Sequence, residues 1–310
     1  MTKISIIIRT YNESKHIGEL LEGIVTQRGV GARDPEVEIV VVDSGSTDGT
    51  IEIVQQYGVK LVFISKDEFS FGRSLNYGCR SCDGDIFVIV SGHCIPSSKE
   101  WLYELVKPIL NGSAAYTYGR QIGGQGSRFS ERQIFNKYFP EDSEIPQNGI
   151  YCNNANSALL RQAWEKFEFN EELTGLEDLD LARRLCVTGL KVAYVSTATV
   201  YHLHNETWSQ VKNRFEREAV ALKEIMPSVR FSMFDAIRCW VSAVILDCRA
   251  ALKARALLVS LPEILMYRFH QYKGGYLGSN SATPLSREMK ESYFYPNREG
   301  AKLYVSRGVK

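Results

Sequence analysis

Hydrophobic positions in the first 120 residues switch between two periods. Lys3 to Thr10 carries Ile4, Ile6, Ile7 and Ile8 in a near-continuous run, the pattern of a strand buried on both faces. His16 to Gln27 then sets Ile17, Leu20, Leu21 and Ile24 on one side of a helix. Val37 to Asp43 is a second apolar, β-branched strand. The helix after it carries Ile51, Ile53 and Val54, with Ser46 or Thr47 as its cap. Lys60 to Ile64 predicts a third strand and Ser70 to Cys82 a helix. Ile86 to Ser91 predicts a fourth strand, Lys99 to Leu110 a helix, and Ala115 to Gln121 a further extended segment. Strand and helix alternating at this spacing define an α/β chain, with a mainly parallel sheet and helices on both faces.

The pattern loosens from Gly123 to Gln147, where Gly, Ser and Pro interrupt Phe129, Phe135, Tyr138 and Phe139. A loop-rich segment covering a cleft is expected there. Glu177 to Thr188 is helical again and Lys191 to Tyr201 extended. From Thr207 the chain reads as helix, with Phe234, Ile237, Val241, Val244, Cys248 and Leu252 at helical spacing. Gly274, Gly275 and Gly278 are expected to break that helix, and the last thirty residues to form an irregular tail. The organisation is thus a sheet domain over 1–205 and a helical C-terminal region over 206–310.

Composition narrows the possibilities. Hydrophobic residues make up 44% and charged residues 24%, enough for an ordinary core. The net charge of +1 speaks against a nucleic-acid binder. The charge is uneven: Tyr201 to Lys310 holds 17 Lys+Arg and 10 Asp+Glu, a local +7. Such a region suits an anionic acceptor or peripheral contact with an anionic membrane. Seven cysteines at irregular spacing include one CxxC, Cys79 and Cys82, which falls short of the four ligands of a zinc site. Reduced thiols in a cytoplasmic protein are expected. The strand-like start leaves no room for a signal peptide, and the uncharged run Cys239–Leu246, interrupted by no charge before Asp247, is too short to span a bilayer.

Ligands of an open parallel sheet bind beyond the carboxyl ends of its strands. Three such ends deliver polar clusters: Arg9-Thr10-Tyr11-Asn12-Glu13, Asp43-Ser44-Gly45-Ser46-Thr47-Asp48-Gly49 and Ser91-Gly92-His93-Cys94. One cluster is ordinary turn chemistry; three on one rim point to a site. No GxGxxG, GxxxxGK[ST] or GxSxG occurs, which speaks against a dinucleotide dehydrogenase, a P-loop enzyme and a nucleophile-elbow hydrolase. Glu177, Asp178 and Asp180 crowd the start of an apolar helix. Capping needs one acid, so a carboxylate is left to take a proton from an attacking hydroxyl. His202 and His204 fall on the same side of an extended segment, where they suit metal, phosphate or plain packing.

With Ile4-Ser5-Ile6-Ile7-Ile8-Arg9-Thr10-Tyr11-Asn12-Glu13, then Glu38-Ile39-Val40-Val41-Val42-Asp43-Ser44-Gly45-Ser46-Thr47-Asp48-Gly49-Thr50, and later Gly175-Leu176-Glu177-Asp178-Leu179-Asp180-Leu181, the chain resembles the inverting family-2 glycosyltransferases of GT-A fold over residues 3–205. Tyr118-Gly119-Arg120-Gln121 is similar to bacterial surface-polysaccharide transferases, rhamnosyltransferase-like members among them. The resemblance implies a nucleotide-diphosphate sugar donor and a glycan or lipid-linked glycan acceptor. It implies that Thr10, Tyr11, Glu13 and Ser44 line the nucleotide pocket and that Asp43 accepts a hydrogen bond from the base. Arg73 and Asn76, in Phe71-Gly72-Arg73-Ser74-Leu75-Asn76, would contact the nucleotide, with Arg73 near the diphosphate. Asp178 would be the general base, with Glu177 the second choice.

The chain departs from the family where a D-x-D normally ends the fourth strand: Ser91-Gly92-His93 stands there. A divalent cation, manganese or magnesium, is implied by the family. Here the lost carboxylates leave two versions: His93 with His202 or His204 holds an ion, or Arg73 and a protonated histidine serve without one. The second is favoured. Processive members carry Q-x-x-R-W, of which only Gln210 and Arg214 are found, so transfer of one or a few sugars is expected. Two rivals stand beside this reading: a nucleotidyltransferase, which needs a Gly-rich basic loop in place of Thr10-Tyr11-Asn12-Glu13, and a non-catalytic nucleotide-sugar-binding scaffold.

Overall fold

The structure, a computed structural model, describes residues 2–28 and 36–281. The chain opens with β1 (Ile4–Thr10), α1 (Ile17–Val25), β2 (Val37–Asp43), α2 (Thr50–Gln55), β3 (Lys60–Phe63), α3 (Phe71–Arg80) and β4 (Ile86–Ser91). These strands form a parallel half-sheet, β3-β2-β1-β4. Alternation along β1 sends Ile6 and Ile8 into one core and Ile7 into the other. Helix α1 covers the first face with Ile17, Leu20, Leu21 and Ile24, and α3 covers the second with Leu75 and Cys79. The cap of α2 is Gly49 with φ near 92°, not Ser46 or Thr47; those two lie earlier in the loop and bond to the neighbouring strand end.

Next come β5 (Cys94–Pro96), α4 (Trp101–Leu110), β6 (Tyr116–Gly123), α5 (Phe129–Tyr138), β7 (Asn156–Leu160), α6 (Arg161–Phe167), α7 (Glu177–Val187) and β8 (Val192–His202). The sheet continues β4-β7-β6-β8-β5, and the pairs β4–β7, β6–β7 and β5–β8 are antiparallel. Strands β5 and β7 escape the periodicity reading because each is short and flanked by polar residues. The expected loop at 123–147 instead contains α5: Phe135 and Phe139 bury together with the sheet face, and burial orders a segment whose local sequence is ambiguous. All seven cysteines, Cys79, Cys82, Cys94, Cys152, Cys186, Cys239 and Cys248, are free thiols.

The chain ends in α8 (Trp208–Ile225), α9 (Met233–Lys253) and α10 (Leu257–Ser279). Gly274, Gly275 and Gly278 do not break α10. A Cβ on Gly274 would lie 2.3 Å from the Lys212 carbonyl oxygen, and one on Gly278 2.1 Å from that of Glu216. Glycine there lets α10 lie directly on the α8 backbone. The buried Arg268 guanidinium holds Asp247 through two bonds of 2.7 and 2.8 Å, and Asp247 accepts from Ser130 Oγ at 2.6 Å. That network ties α9 and α10 to α5. The expected irregular tail lies, beyond Ser281, outside the described residues. No helix among the described residues is long and apolar enough to cross a membrane.

Candidate active site

The register pairs Thr10 with Asp43 and Arg9 with Ser91, so the three polar strand ends share one rim. Two of them are laced together. Asp43 Oδ1 accepts from the Gly45 and Ser46 backbone N–H groups at 2.8 and 2.9 Å. Its Oδ2 accepts from Thr10 Oγ1 at 3.1 Å and Ser46 Oγ at 2.5 Å. Asn12 N–H donates to Ser46 Oγ, Thr47 N–H to Asn12 Oδ1, and Glu13 N–H to Thr50 Oγ1, each at 2.8 Å. Asp43 is fully enclosed, and these four bonds occupy both its oxygens. The structure therefore gives it a different task from the expected bond to a base: it shapes the loop whose backbone lines the rim. Ser44 is buried beside it and donates to the Thr10 carbonyl. Tyr11 stays half-buried at the edge, with the Lys66 ammonium 5.0 Å above its ring.

Arg73 and Asn76 also differ from expectation. Arg73 Nε donates to Glu171 Oε2 at 2.7 Å and its Nη1 to the Glu68 carbonyl at 2.8 Å. Asn76 is fully buried. Its Oδ1 accepts from Trp164 Nε1 and Phe169 N–H at 3.0 Å each, and its Nδ2 donates to Phe169 O and Glu171 Oε1 at 2.9 Å each. Both side chains fasten α3 to the 168–171 turn. A cation stands beside Glu177: Arg9, which the sequence places in the first polar strand end but gives no role. Its Nη1 lies 3.4 Å from Glu177 Oε1, and its guanidinium stands 4.7 Å above the Phe71 ring. Arg217 of α8 stacks on the same ring at 4.4 Å.

Three acids open α7, after Leu176 in the left-handed region, and all are buried. Their surroundings separate their roles. Asp180 is held by Arg183 and Arg184 at 3.1 and 2.8 Å, a local ion pair within the helix. Glu177 leans toward Arg9. Asp178 accepts from Asn154 N–H at 2.9 Å and Leu179 N–H at 2.7 Å, without a cation in ion-pair range among the described residues. Burial first, and the charge of Glu177 second, push its pKa up to about 7.

The third rim cluster meets the end of β8. Ser91 N–H donates to Ala155 O and Gly92 N–H to Arg9 O, both at 3.2 Å. A Cβ on Gly92 would stand 2.9 Å from Glu13 Cγ, so the turn needs glycine to pass under that side chain. Pairing of Cys94 with His202 brings the histidines together. His93 Nε2 is 3.1 Å from His202 Nε2, and the His202 and His204 rings are 4.1 Å apart. One nitrogen from each of His93, His202 and His204 falls within a sphere of mutual distances under 4.8 Å. Burial and the two other imidazoles hold His202 well below the usual histidine range, so it is neutral and able to ligate. Glu131, His204 and Glu206 form a second such group, but Glu206 is engaged by Arg214 through three contacts of 2.8–3.2 Å. Gln121 and Glu131 hold His202 and His204; Gln121 figures in the sequence only within the Tyr118–Gln121 resemblance, and Glu131 lies in the segment expected to be a loop.

A parallel half-sheet carrying a polar rim, extended by antiparallel strands that bring a buried acid pair across from it, is the architecture of the GT-A glycosyltransferases. The chain belongs to glycosyl transferase family 2, whose family model matches residues 5–167. Asp178, His202 and His204 lie beyond that match. Glucosyl-3-phosphoglycerate synthase of Petrotoga mobilis is 31% identical over 252 residues, covering 72% of this chain and 73% of that protein. O-antigen chain rhamnosyltransferase WbaN of Salmonella anatum is 26% identical over 189 residues, 57% of this chain and 60% of its own length. Among solved structures, mannosyltransferase PcManGT from Pyrobaculum calidifontis, in complex with GDP-Man and Mn2+, superposes with a TM-score of 0.60 at 18% identity, over 96% of this chain and 88% of that one.

Proposed function

We propose that the protein transfers a sugar from a nucleotide-diphosphate donor to a hydroxyl of a glycan or lipid-linked glycan, inverting the anomeric centre. The observation that carries this is Asp178: a buried carboxylate, facing no paired cation among the described residues, with a pKa raised to about 7. Such a group accepts a proton near neutrality as a general base must. The acceptor O–H proton passes to Asp178 as its oxygen bonds to the anomeric carbon. The bond from that carbon to the donor phosphate breaks, and its electron pair leaves with the nucleotide diphosphate. Thr10, Tyr11, Glu13, Ser44, Ser91 and Gly92 line the donor rim, with Asp43 as its internal brace. Arg9 replaces Arg73 as the cation beside the reacting groups. A non-catalytic scaffold would have no use for a carboxylate kept this basic.

The acceptor class is inferred from the relatives' names, which include an O-antigen chain rhamnosyltransferase. A cleft of about 470 Å³ between α5 and the α9–α10 turn supports an acceptor path. Its lining of Phe129, Arg132, Gln133 and Asn136 suits sugar hydroxyls, and Gly123 on its wall pairs with His202. Peripheral attachment to an anionic membrane is supported by the exposed apolar side chains of α9 and α10, Phe234 at 74%, Leu258 at 90% and Val259 at 87% exposure, beside exposed Arg249, Lys253 and Arg255. Sedimentation with anionic but not neutral vesicles is the expected result, and no sedimentation with either would remove the membrane from the reading. In place of the two D-x-D carboxylates stands a donor set of imidazoles, which suits a borderline divalent ion better than magnesium or manganese. Such an ion, when bound, would neutralise charge on the leaving diphosphate. The central test is nucleotide release from a panel of nucleotide sugars, with and without acceptor glycans. Release that depends on acceptor, and is lost in Asp178→Asn, supports the reading; release by neither form with any donor would sink it.

A further inference from the structure

One residue touches both leading acids of α7. Asn154 gives its backbone N–H to Asp178 Oδ2 at 2.9 Å, and its side-chain Nδ2 donates toward Glu177 Oε1 at 3.5 Å. Arg9 Nη1 lies 3.4 Å from that same oxygen. The other end of the amide is clamped. Its Oδ1 accepts from the Tyr116 hydroxyl at 2.5 Å and from Ser157 Oγ at 2.8 Å. Asn154, Tyr116 and Ser157 are all buried. Turned over, the amide would set its oxygen against the Glu177 carboxylate, lone pair to lone pair. The observed orientation is therefore the one that an ionised Glu177 selects.

The surroundings leave the titration to the acids themselves. Tyr116 on β6, and Tyr151 and Cys152 before β7, face Asp178; removal from water holds all three well above their ordinary pKa values, so they are neutral near pH 7. Arg9 on β1 and Arg217 on α8 supply fixed positive charge in the field of Glu177. Asp180, on α7 itself, is held by Arg183 and Arg184. A proton reaching the pair can settle on either Glu177 or Asp178. Donors aimed at Glu177 keep it ionised and send the proton to Asp178.

We propose that Asn154 is a positioning residue that sorts the two acids, holding Glu177 as the carboxylate and Asp178 as the group that takes the proton. One buried residue holds Asp178 by its backbone and Glu177 by its side chain, so the placement of the acids relative to each other is set within that residue. Tyr116 and Ser157 keep the amide from turning, which makes β6 and β7 part of the device. The use of Asp178 as a base rests on the proposed transfer; the sorting itself belongs to the resting protein.

The sorting is measured without donor or turnover, on the full chain carrying 13C-labelled aspartate carboxyls. The pH midpoint of the Asp178 resonance is followed by NMR, and Asp178→Asn assigns that resonance by its loss. Wild type should titrate near neutrality. In Asn154→Ala, Glu177 loses a donor and takes up a proton more readily, so its charge opposes ionisation of Asp178 less. The Asp178 midpoint should then fall by about half a pH unit or more. Glu177→Gln should lower it too, and the double variant should go no lower than Glu177→Gln alone. Thermal melts show that the variants are folded. Asn154→Ser, whose hydroxyl still accepts from Tyr116 and Ser157 but does not reach Glu177, repeats the test with a milder change. A wild-type midpoint in the ordinary carboxylate range, or an unmoved midpoint in folded Asn154→Ala and Asn154→Ser, would overturn the sorting. Shifts that add in the double variant would overturn it as well, since Asn154 would then act on Asp178 by excluding water and not through Glu177. Nucleotide release is read in parallel. The expected shifts without any release would leave the sorting standing and count against the transfer reading alone; release with an unmoved midpoint would do the reverse.

Discussion

The two sides of the site are built differently. The donor rim is made from loops 10–14 and 43–50, which follow adjacent strands, and they brace each other by short-range bonds around Asp43 and Asn12. The opposite side draws Arg9 from β1, Asn154 from the approach to β7, Glu177 and Asp178 from α7, and the histidines from β4–β5 and β8. One side joins two loops 33–35 residues apart in the chain, set as soon as β1 and β2 pair. The other exists only once the sheet has closed, and there burial rather than turn chemistry sets the properties of each group. The first side should respond to substitution through stability and binding, the second through turnover.

The sharpest break in this contrast is at Asp178. Asp178→Asn keeps the shape and one of the two backbone bonds, since its single oxygen accepts from Asn154 or Leu179 N–H but not from both, and it cannot take a proton. Turnover should fall about 100-fold or more, with donor affinity nearly unchanged. Glu177→Gln should cost about tenfold, because it disturbs Arg9 and the field at Asp178 without removing the base. If the two effects are exchanged, the base is Glu177; if neither variant loses turnover, the α7 acids are structural.

On the rim, Asp43→Ala leaves two backbone N–H groups and two hydroxyls without their acceptor in a closed interior. Stability should drop by about 2–3 kcal/mol, and donor affinity should weaken with it as the loop loses its shape. Thermal melting and calorimetry read the two together. A melting point equal to wild type with weakened donor binding would restore the direct contact to the base that the structure does not favour.

The difference between the two sides also decides what could be read in advance. The strands and helices of the parallel half announce themselves through Ile, Val and Leu at the right periods, and the rim follows because those strands end in Thr10, Asp43 and Ser91. The antiparallel half is harder. Segment β7 has only Asn156–Leu160, and α5 is interrupted by polar residues, so their pattern becomes clear only when Phe135 and Leu159 are seen to share a core. Asp178 stands out in the sequence by its helix start and by family resemblance, and its burial is what the fold adds. The roles of Arg9, Gln121 and Glu131 do not stand out, since their partners are 168, 81 and 73 residues away in the chain. Arg73 and Asn76 show another limit: a motif position suggests a ligand contact, and only the fold reveals that both side chains also hold α3.

Protonation offers a graded version of the same contrast. Asp178 is active as the carboxylate, and its pKa is raised to about 7 by burial and by Glu177. Turnover should therefore be level above that pH and fall about tenfold per unit as pH drops below it. Donor affinity, resting on the rim, should stay flat over the same range. The Glu177→Gln variant removes the neighbouring negative charge, so its profile should shift toward lower pH. A profile that keeps its wild-type midpoint would mean that Glu177 does not act on Asp178.

The smallest expected effect lies farthest from either side, in the contact between α8 and α10. Arg214 and Arg217 on α8 reach the Glu206 and Phe71 neighbourhoods, so the helix must sit at a fixed height over the sheet. That height is set by Gly274 and Gly278, whose missing side chains admit the α8 backbone. In Gly278→Ala the new methyl would meet the Glu216 carbonyl oxygen at 2.1 Å, and backbone cannot yield as a flexible side chain can. The helix gains intrinsic propensity from the change, by about 1 kcal/mol, but overpacking costs about 1–3 kcal/mol, so a net loss of up to about 2 kcal/mol is expected. Gly275→Ala is the control. Its nearest neighbour, Phe231 Cε1, is 3.9 Å away, so only the gain in propensity remains and the melting point should rise. Opposite signs for these two glycines in a thermal melt would show that close helix contact, not flexibility, is what Gly278 provides; a rise in both would remove that contact from the account of how α8 is held above the acids.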